Sequence, residues 1–218
     1  MISITKEKTA SFDVDAQNTF TPQCPGELPI INGDKIVWEL NGQAQLARLR
    51  IGSKDAHSLS AVWLADDVHR QFEVVNGYKD VDIRWNAHAI VGTHGFKLIS
   101  GLPEVTEYDF FVWKGVESNL HPYGACYHDL NNKLSTGVKE FLNCFIKPII
   151  DTVIIGGLAT DYCVKMTALQ LADDFHVIVN LGACRGVAPD TTNKAIDEMT
   201  AAGVHFINSY SELISEKE

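Results

Sequence analysis

The sequence predicts an α/β fold, a doubly wound and mostly parallel sheet in the three-layer α/β/α arrangement of Rossmann-like proteins. Three observations carry this. Short apolar, β-branched runs alternate along the chain with segments of helical period. The run Thr152, Val153, Ile154, Ile155 is apolar or β-branched at every position, as in a strand covered on both faces. No repeat, low-complexity segment or linker interrupts the pattern, so residues 1–218 read as one domain. Right-handed crossovers then bring all strand carboxyl ends to one edge.

In chain order, residues 9–15 predict the first strand, with Asp13 and Asp15 at its end. Strict alternation would point both the same way. Residues 21–33 hold three prolines and two glycines and predict a loop. Asp34 is expected to cap a helix over 34–48, with Ile36, Val37, Leu40, Ala44 and Ala47 on one face. Residues 49–53 predict a strand that delivers Asp55 and His57 to a loop. Residues 58–104 have no sustained period, and a loop that long in a compact domain is usually functional. A strand is predicted over 108–113, ended by Lys114 and Gly115, and a second irregular stretch over 116–134. A helix is predicted over 136–146, with Val138, Phe141, Leu142 and Phe145 as its stripe. After the strand at 152–155, Gly156 and Gly157 are expected to break the chain. Thr160 and Asp161 are then candidate caps of a helix marked by Val164, Ala168, Leu171 and Ala172. A strand over 176–180, a loop GACRGVAPD, a helix over 190–202 closed by Gly203, and a strand over 204–208 complete the pattern.

The composition narrows the function. Hydrophobic residues make up 45 % and charged residues 21 %, which suits a packed core. A formal net charge of −10 excludes phosphate backbones and anionic membrane surfaces as natural partners. The N-terminus lacks a long apolar core, so no secretion signal is expected, and no run approaches the ~18 apolar residues of a membrane span. The 5 cysteines form no CxxC pair, which fits a reduced, cytoplasmic setting. The pattern leaves a homo-oligomer open.

Open α/β sheets bind ligands at their strand carboxyl ends. Asp15, Lys114 and Cys163 are expected there on three separate strands. Cys163 falls in the first turn of its helix, where the helix dipole is expected to favour thiolate. A carboxylate can take the thiol proton, and an ammonium can hold both anions. Taken singly, each residue has a plainer role: a small core residue, a turn cap and a solvated charge. Their joint placement favours nucleophilic catalysis. The motif Asp-x-His, with metal-binding spacing, occurs at Asp55/His57, Asp67/His69 and Asp174/His176. Only the first stands just past a strand's carboxyl end. A third ligand would come from His69, His88 or His94, and spacing does not choose among them. A dinucleotide site is excluded, because the turn after the first strand, DAQNTF, has no glycine.

These residues resemble the nicotinamidase branch of the isochorismatase-like cysteine hydrolases. The signature is GLATDYCVKMTAL at 157–169. It is joined by Val14, Asp15, Gln17 and Phe20, by Gly26, Leu28, Pro29 and Ile30, by Lys114-Gly115, by Asp55 and His57, by parts of 85–95, and by ACRGV at 183–187. The resemblance implies an amidohydrolase that takes nicotinamide as its small-molecule substrate. The implied triad is Asp15, Lys114 and Cys163. The backbone N–H groups of Ala159 and Cys163 would form the oxyanion hole, after a cis Leu158–Ala159 peptide. Phe20, Trp85 and Tyr123 would wall the substrate slot. His88 is selected as the third metal ligand beside Asp55 and His57, for a divalent ion that is zinc before iron or manganese. Departures occur at Ala56 and Ser58, at WNAHA, and at VESNLHPYGACYHD after Lys114. Other small-amide or carbamoyl hydrolysis, or a non-catalytic binding module on the same fold, are the alternatives.

Overall fold

The computed structural model describes residues 1–144 and 149–216. Its centre is a six-stranded, fully parallel sheet of β2 (Thr9–Val14), β3 (Leu49–Asp55), β4 (Phe110–Lys114), β5 (Thr152–Leu158), β6 (His176–Arg185) and β7 (His205–Ile207). The spatial order β4-β3-β2-β5-β6-β7 puts β2 and β5 in the middle, with the reversal of strand order between them. A two-stranded sheet that the sequence did not announce pairs β1 (Ile2–Thr5) with β8 (Leu213–Glu216).

Helices cover both faces. On one side α2 (Val138–Cys144), α3 (Lys165–Leu171) and α4 (Pro189–Ala201) pack Leu142, Ala168, Leu171 and Met199 against Phe12, Val153 and Ile155. On the other, α1 (Val37–Gln45) and the turn before it set Ile36 and Leu40 against Leu158 and Ala183, while Ile154 and Ile178 join Ile4. Alternate residues of β5 thus feed two cores, which is why its run is apolar throughout. Each such fully buried side chain contributes about 1.5–3 kcal/mol. The end of the predicted 136–146 helix, at Phe145 and Ile146, lies outside the described residues.

Several boundaries differ from expectation, each for a local reason. Gly156 and Gly157 do not end β5. They extend it past a register shift. A Cβ on Gly157, whose φ is +141°, would lie 1.9 Å from the Val14 carbonyl, so glycine permits close strand approach there. Asp34 is no cap: it sits within a 3₁₀ turn (Gly33–Lys35), and α1 begins after Ile36. Thr160 and Asp161 likewise do not cap. Residues Thr160–Val164 form a π-helical turn behind Ala159. The Asp161 carboxylate instead accepts the backbone N–H groups of Val187 and Ala188 at 3.0 and 3.3 Å, at the start of α4. Strand β6 absorbs the first residues of the expected GACRGVAPD loop.

The two irregular stretches build one wall above the sheet's carboxyl edge. Ala61, Trp63, Val75, Val81 and Trp85 form a small core of their own. The Trp63 indole N–H donates to the Leu120 carbonyl at 3.2 Å, and the Val62 N–H to Ser118 at 2.8 Å. Among the described residues, no helix is long and apolar enough to cross a membrane.

Candidate active site

Asp15 is the first residue beyond β2, and its φ of +45° turns it off the strand's alternation. The two acids therefore part company. Asp13 Oδ2 accepts from Arg50 Nη2 at 2.7 Å and from the Tyr108 hydroxyl at 2.8 Å. Asp15 Oδ1 accepts from the Ser53 hydroxyl at 2.7 Å, and its Oδ2 lies 3.0 Å from Lys114 Nζ. Alternation failed because Asp15 is already outside the strand.

Lys114 is the last residue of β4 and has no exposed side-chain surface. Its ammonium pairs with Asp15 and Asp55, donates to the Pro122 carbonyl at 3.3 Å, and stands 3.6 Å from Cys163 Sγ. Burial alone would lower the lysine's pKa, but the two carboxylates outweigh it and raise the value well above normal. Cys163 lies in the π-helical turn, at the place the sequence assigned to it. Its thiol pKa, however, is raised, not lowered. Burial dominates, with Asp55 and Asp15 adding to it, and Lys114 only partly offsets them. This environment favours the thiol over the thiolate. Burial likewise raises Asp15, to about 6, against the opposing pull of Lys114.

Asp55 ends β3, and His57 follows it. Burial would push the Asp55 carboxyl up, yet the Lys114 ammonium and then the imidazoles hold it well below the usual carboxylate range. His57 Nε2 lies 3.6 Å from Asp55 Oδ1, and His88 Nε2 lies 4.0 Å from Asp55 Oδ2. The backbone fixes both rings. His57 Nδ1 meets the Gly115 carbonyl at 3.0 Å, and His88 Nδ1 meets the Asn86 carbonyl at 2.7 Å. That leaves each Nε2 lone pair near one oxygen of Asp55. A Cβ on Gly115, at φ +71°, would lie 2.4 Å from His57 Cε1, so glycine is required beside this imidazole.

A divalent cation fits here on this structure's own terms. His57 Nε2 is buried without a hydrogen-bond partner. Burial, with His57 beside it, lowers His88 to about 3, so its ring is neutral. Asp15 and Asp55 share one ammonium, which leaves a buried excess of negative charge for a cation to balance. His69 and His94 do not take part. Both are exposed, and His69 pairs with Asp66 at 3.0 Å.

A cavity of about 290 Å³, at the low end of small-ligand sites, opens beside Cys163, Asp55 and His88. Phe20, Trp85 and Tyr123 line it. The Trp85 indole N–H donates to Tyr123 Oη at 3.2 Å, and Tyr123 donates to Asp82 at 2.8 Å, so the walls hold each other. Ala159 and Cys163 line the floor, and the Leu158–Ala159 peptide is cis. Tyr162 and His121 are among the lining residues that escaped the sequence reading. Tyr162 meets Trp85 edge-on at 4.9 Å, and its place directly before Cys163 could have flagged it. His121 stands beside His57 and His88, but no spacing linked it to them.

Comparison with known proteins places the chain in a family. A profile described as Isochorismatase domain matches residues 117–211. The nicotinamidase of Escherichia coli (strain K12) is 31 % identical over 201 residues, covering 87 % of this chain and 90 % of that one. The structure of the Acinetobacter baumanii nicotinamidase/pyrazinamidase superposes with a TM-score of 0.83 at 27 % identity, over 94 % of this chain and 98 % of that one. The Pyrococcus horikoshii pyrazinamidase, solved in complex with zinc, superposes with a TM-score of 0.68 at 23 % identity, over 92 % and 98 % of the two chains. The chain belongs to the isochorismatase-like hydrolases, among the nicotinamidases, and is a hydrolase acting on an amide.

Proposed function

We propose that the chain hydrolyses nicotinamide to nicotinate and ammonia through a thioester on Cys163. One observation carries this reading: a single buried ammonium, Lys114, stands 3.0 Å from Asp15 and 3.6 Å from Cys163, and Cys163 lines a small aromatic cavity. Asp15 takes the proton from the Cys163 thiol, and the thiolate adds to the carboxamide carbon. The developing oxyanion is held by the N–H groups of Ala159 and Cys163; one such donor is worth about 2.7–4 kcal/mol. As the C–N bond breaks, Asp15 returns its proton to the leaving nitrogen, giving ammonia and the thioester. Asp15 then takes a proton from water as its oxygen adds to the thioester carbon, and passes that proton to the departing Cys163 sulfur as the acid is released. Lys114 keeps Asp15 ionised and screens the thiolate. Phe20, Trp85 and Tyr123 hold the ring by its faces and edges.

Asp55, His57 and His88 would hold a divalent cation, which when bound supplies a Lewis-acid contact suited to a pyridine nitrogen. Zinc in the Pyrococcus horikoshii structure supports zinc among the ions these donors suit. The names of the relatives support nicotinamide over other small amides. Ammonia release from nicotinamide, pyrazinamide, benzamide and an N-carbamoyl compound tests the reading. Nicotinamide is expected to exceed benzamide strongly in kcat/KM, because benzamide has no ring nitrogen. Equal rates with metal-loaded protein would remove the ring-nitrogen contact, and a preference for the carbamoyl compound would overturn the substrate.

A further inference from the structure

We propose that His121 is a fourth protein ligand of the metal centre, so that binding the ion fastens the 116–134 loop into the active site. The inference rests on the reading of Asp55, His57 and His88 as ligands. His121 is 4 % exposed, and both of its ring nitrogens are buried without a hydrogen-bond partner. A buried imidazole always has one N–H to donate and one lone pair to share, and each left unmet costs about 1–3 kcal/mol. Aromatic packing does not meet that need. Trp63 meets the ring edge-on at 4.4 Å and Trp85 lies stacked at 6.2 Å, and neither offers an acceptor. What the ring does face is the ligand set. Ring nitrogens of His57, His88 and His121 lie within 4.8 Å of one another. The ring centroids of His57 and His121 are 5.4 Å apart, and those of His88 and His121 are 6.1 Å apart.

The position of His121 is also built in advance. Its backbone N–H donates to the Asp80 carbonyl at 2.9 Å. The Leu120 carbonyl accepts from Trp63 at 3.2 Å, and the Pro122 carbonyl accepts from Lys114 at 3.3 Å. Three separate parts of the chain thus hold the residue and its two neighbours, which is the support that ligating histidines carry. With His121 the donor set becomes three imidazoles and one carboxylate. Four side chains close a tetrahedral ion, so a further ligand can join only a five- or six-coordinate one.

The test measures metal affinity by calorimetry with Zn²⁺ and visible absorption with Co²⁺, for the full-length wild type, His121→Gln, His121→Phe and His88→Ala. Both His121 variants are expected to bind at least about tenfold more weakly and to change the Co²⁺ spectrum, while the apo proteins match wild type in circular dichroism. Hydrogen exchange on the wild type keeps the test independent of how the variants fold. Adding Zn²⁺ is expected to slow exchange in 116–134 as well as around Asp55 and His88. If both His121 variants keep wild-type affinity and Co²⁺ spectrum while His88→Ala loses the metal, His121 is not a ligand and the three-ligand reading stands. If Zn²⁺ slows exchange around Asp55 and His88 but leaves 116–134 unchanged, the fastening of the loop is wrong. If His88→Ala also binds normally, the underlying metal reading falls, and this inference with it.

Discussion

The Lys114 ammonium lies 3.0 Å from the Asp15 carboxylate, and neither side chain has any surface exposed to solvent. Solvent does not screen this pair, so the charge of each sets the protonation of the other. On the proposed mechanism the reactivity of Cys163 depends on that coupling, because burial favours the protonated thiol.

The two strand-end acids separate by role. Asp15→Asn keeps the shape but cannot take a proton, and kcat is expected to fall roughly 10²- to 10⁴-fold. Asp13→Asn removes a carboxylate held by Arg50 and Tyr108, away from the cavity. Its loss is expected in melting temperature, with kcat near wild type. Equal losses of kcat would contradict the assignment of the base.

The pH profile follows from the raised Asp15 value. Protonated Asp15 cannot act as a base, so kcat/KM is expected to fall as pH drops through about 6. Lys114→Met removes the charge that favours the ionised carboxylate. The residual activity should therefore lose its acid limb at a higher pH than wild type. An acid limb that does not move in this variant would argue against the coupling.

Metal removal separates site from scaffold. Chelation is expected to lower activity and to speed hydrogen exchange near His57 and His88, while the six-stranded sheet remains folded. His88→Ala should lower bound metal measured by elemental analysis at least about tenfold. His69→Ala and His94→Ala alter exposed residues and should leave the metal content unchanged. Metal loss in either of those variants would contradict the ligand set.

Much of this site was legible because it rests on short-range rules. Asp15, Lys114 and Cys163 each stand at a strand's carboxyl end, and a parallel sheet brings such ends together whatever lies between. The run at 152–155 announced a central strand because two cores demand apolar side chains on both faces. What could not be read depends on partners distant in sequence. Asp161 looks like a cap of its own helix, but its carboxylate serves α4, some 26 residues on. The direction of the Cys163 shift was misread because a helix end is visible in sequence and burial between two carboxylates is not. His121 is brought to His57 by contacts across two aperiodic stretches, and no local pattern reports such contacts. The β1–β8 pair joins the two termini, where neither run is long enough to predict a strand alone.

Ammonia release from nicotinamide by Cys163→Ala is the most direct test of the covalent mechanism. The residue fills little volume, so the melting temperature should change only slightly, by about 1 kcal/mol in stability or less. Activity should fall by roughly 10³-fold or more, since no other group in the cavity can form the thioester. A folded Cys163→Ala protein that retains even about a tenth of wild-type ammonia release would contradict the account, because hydrolysis would then proceed without the nucleophile on which every other assignment depends.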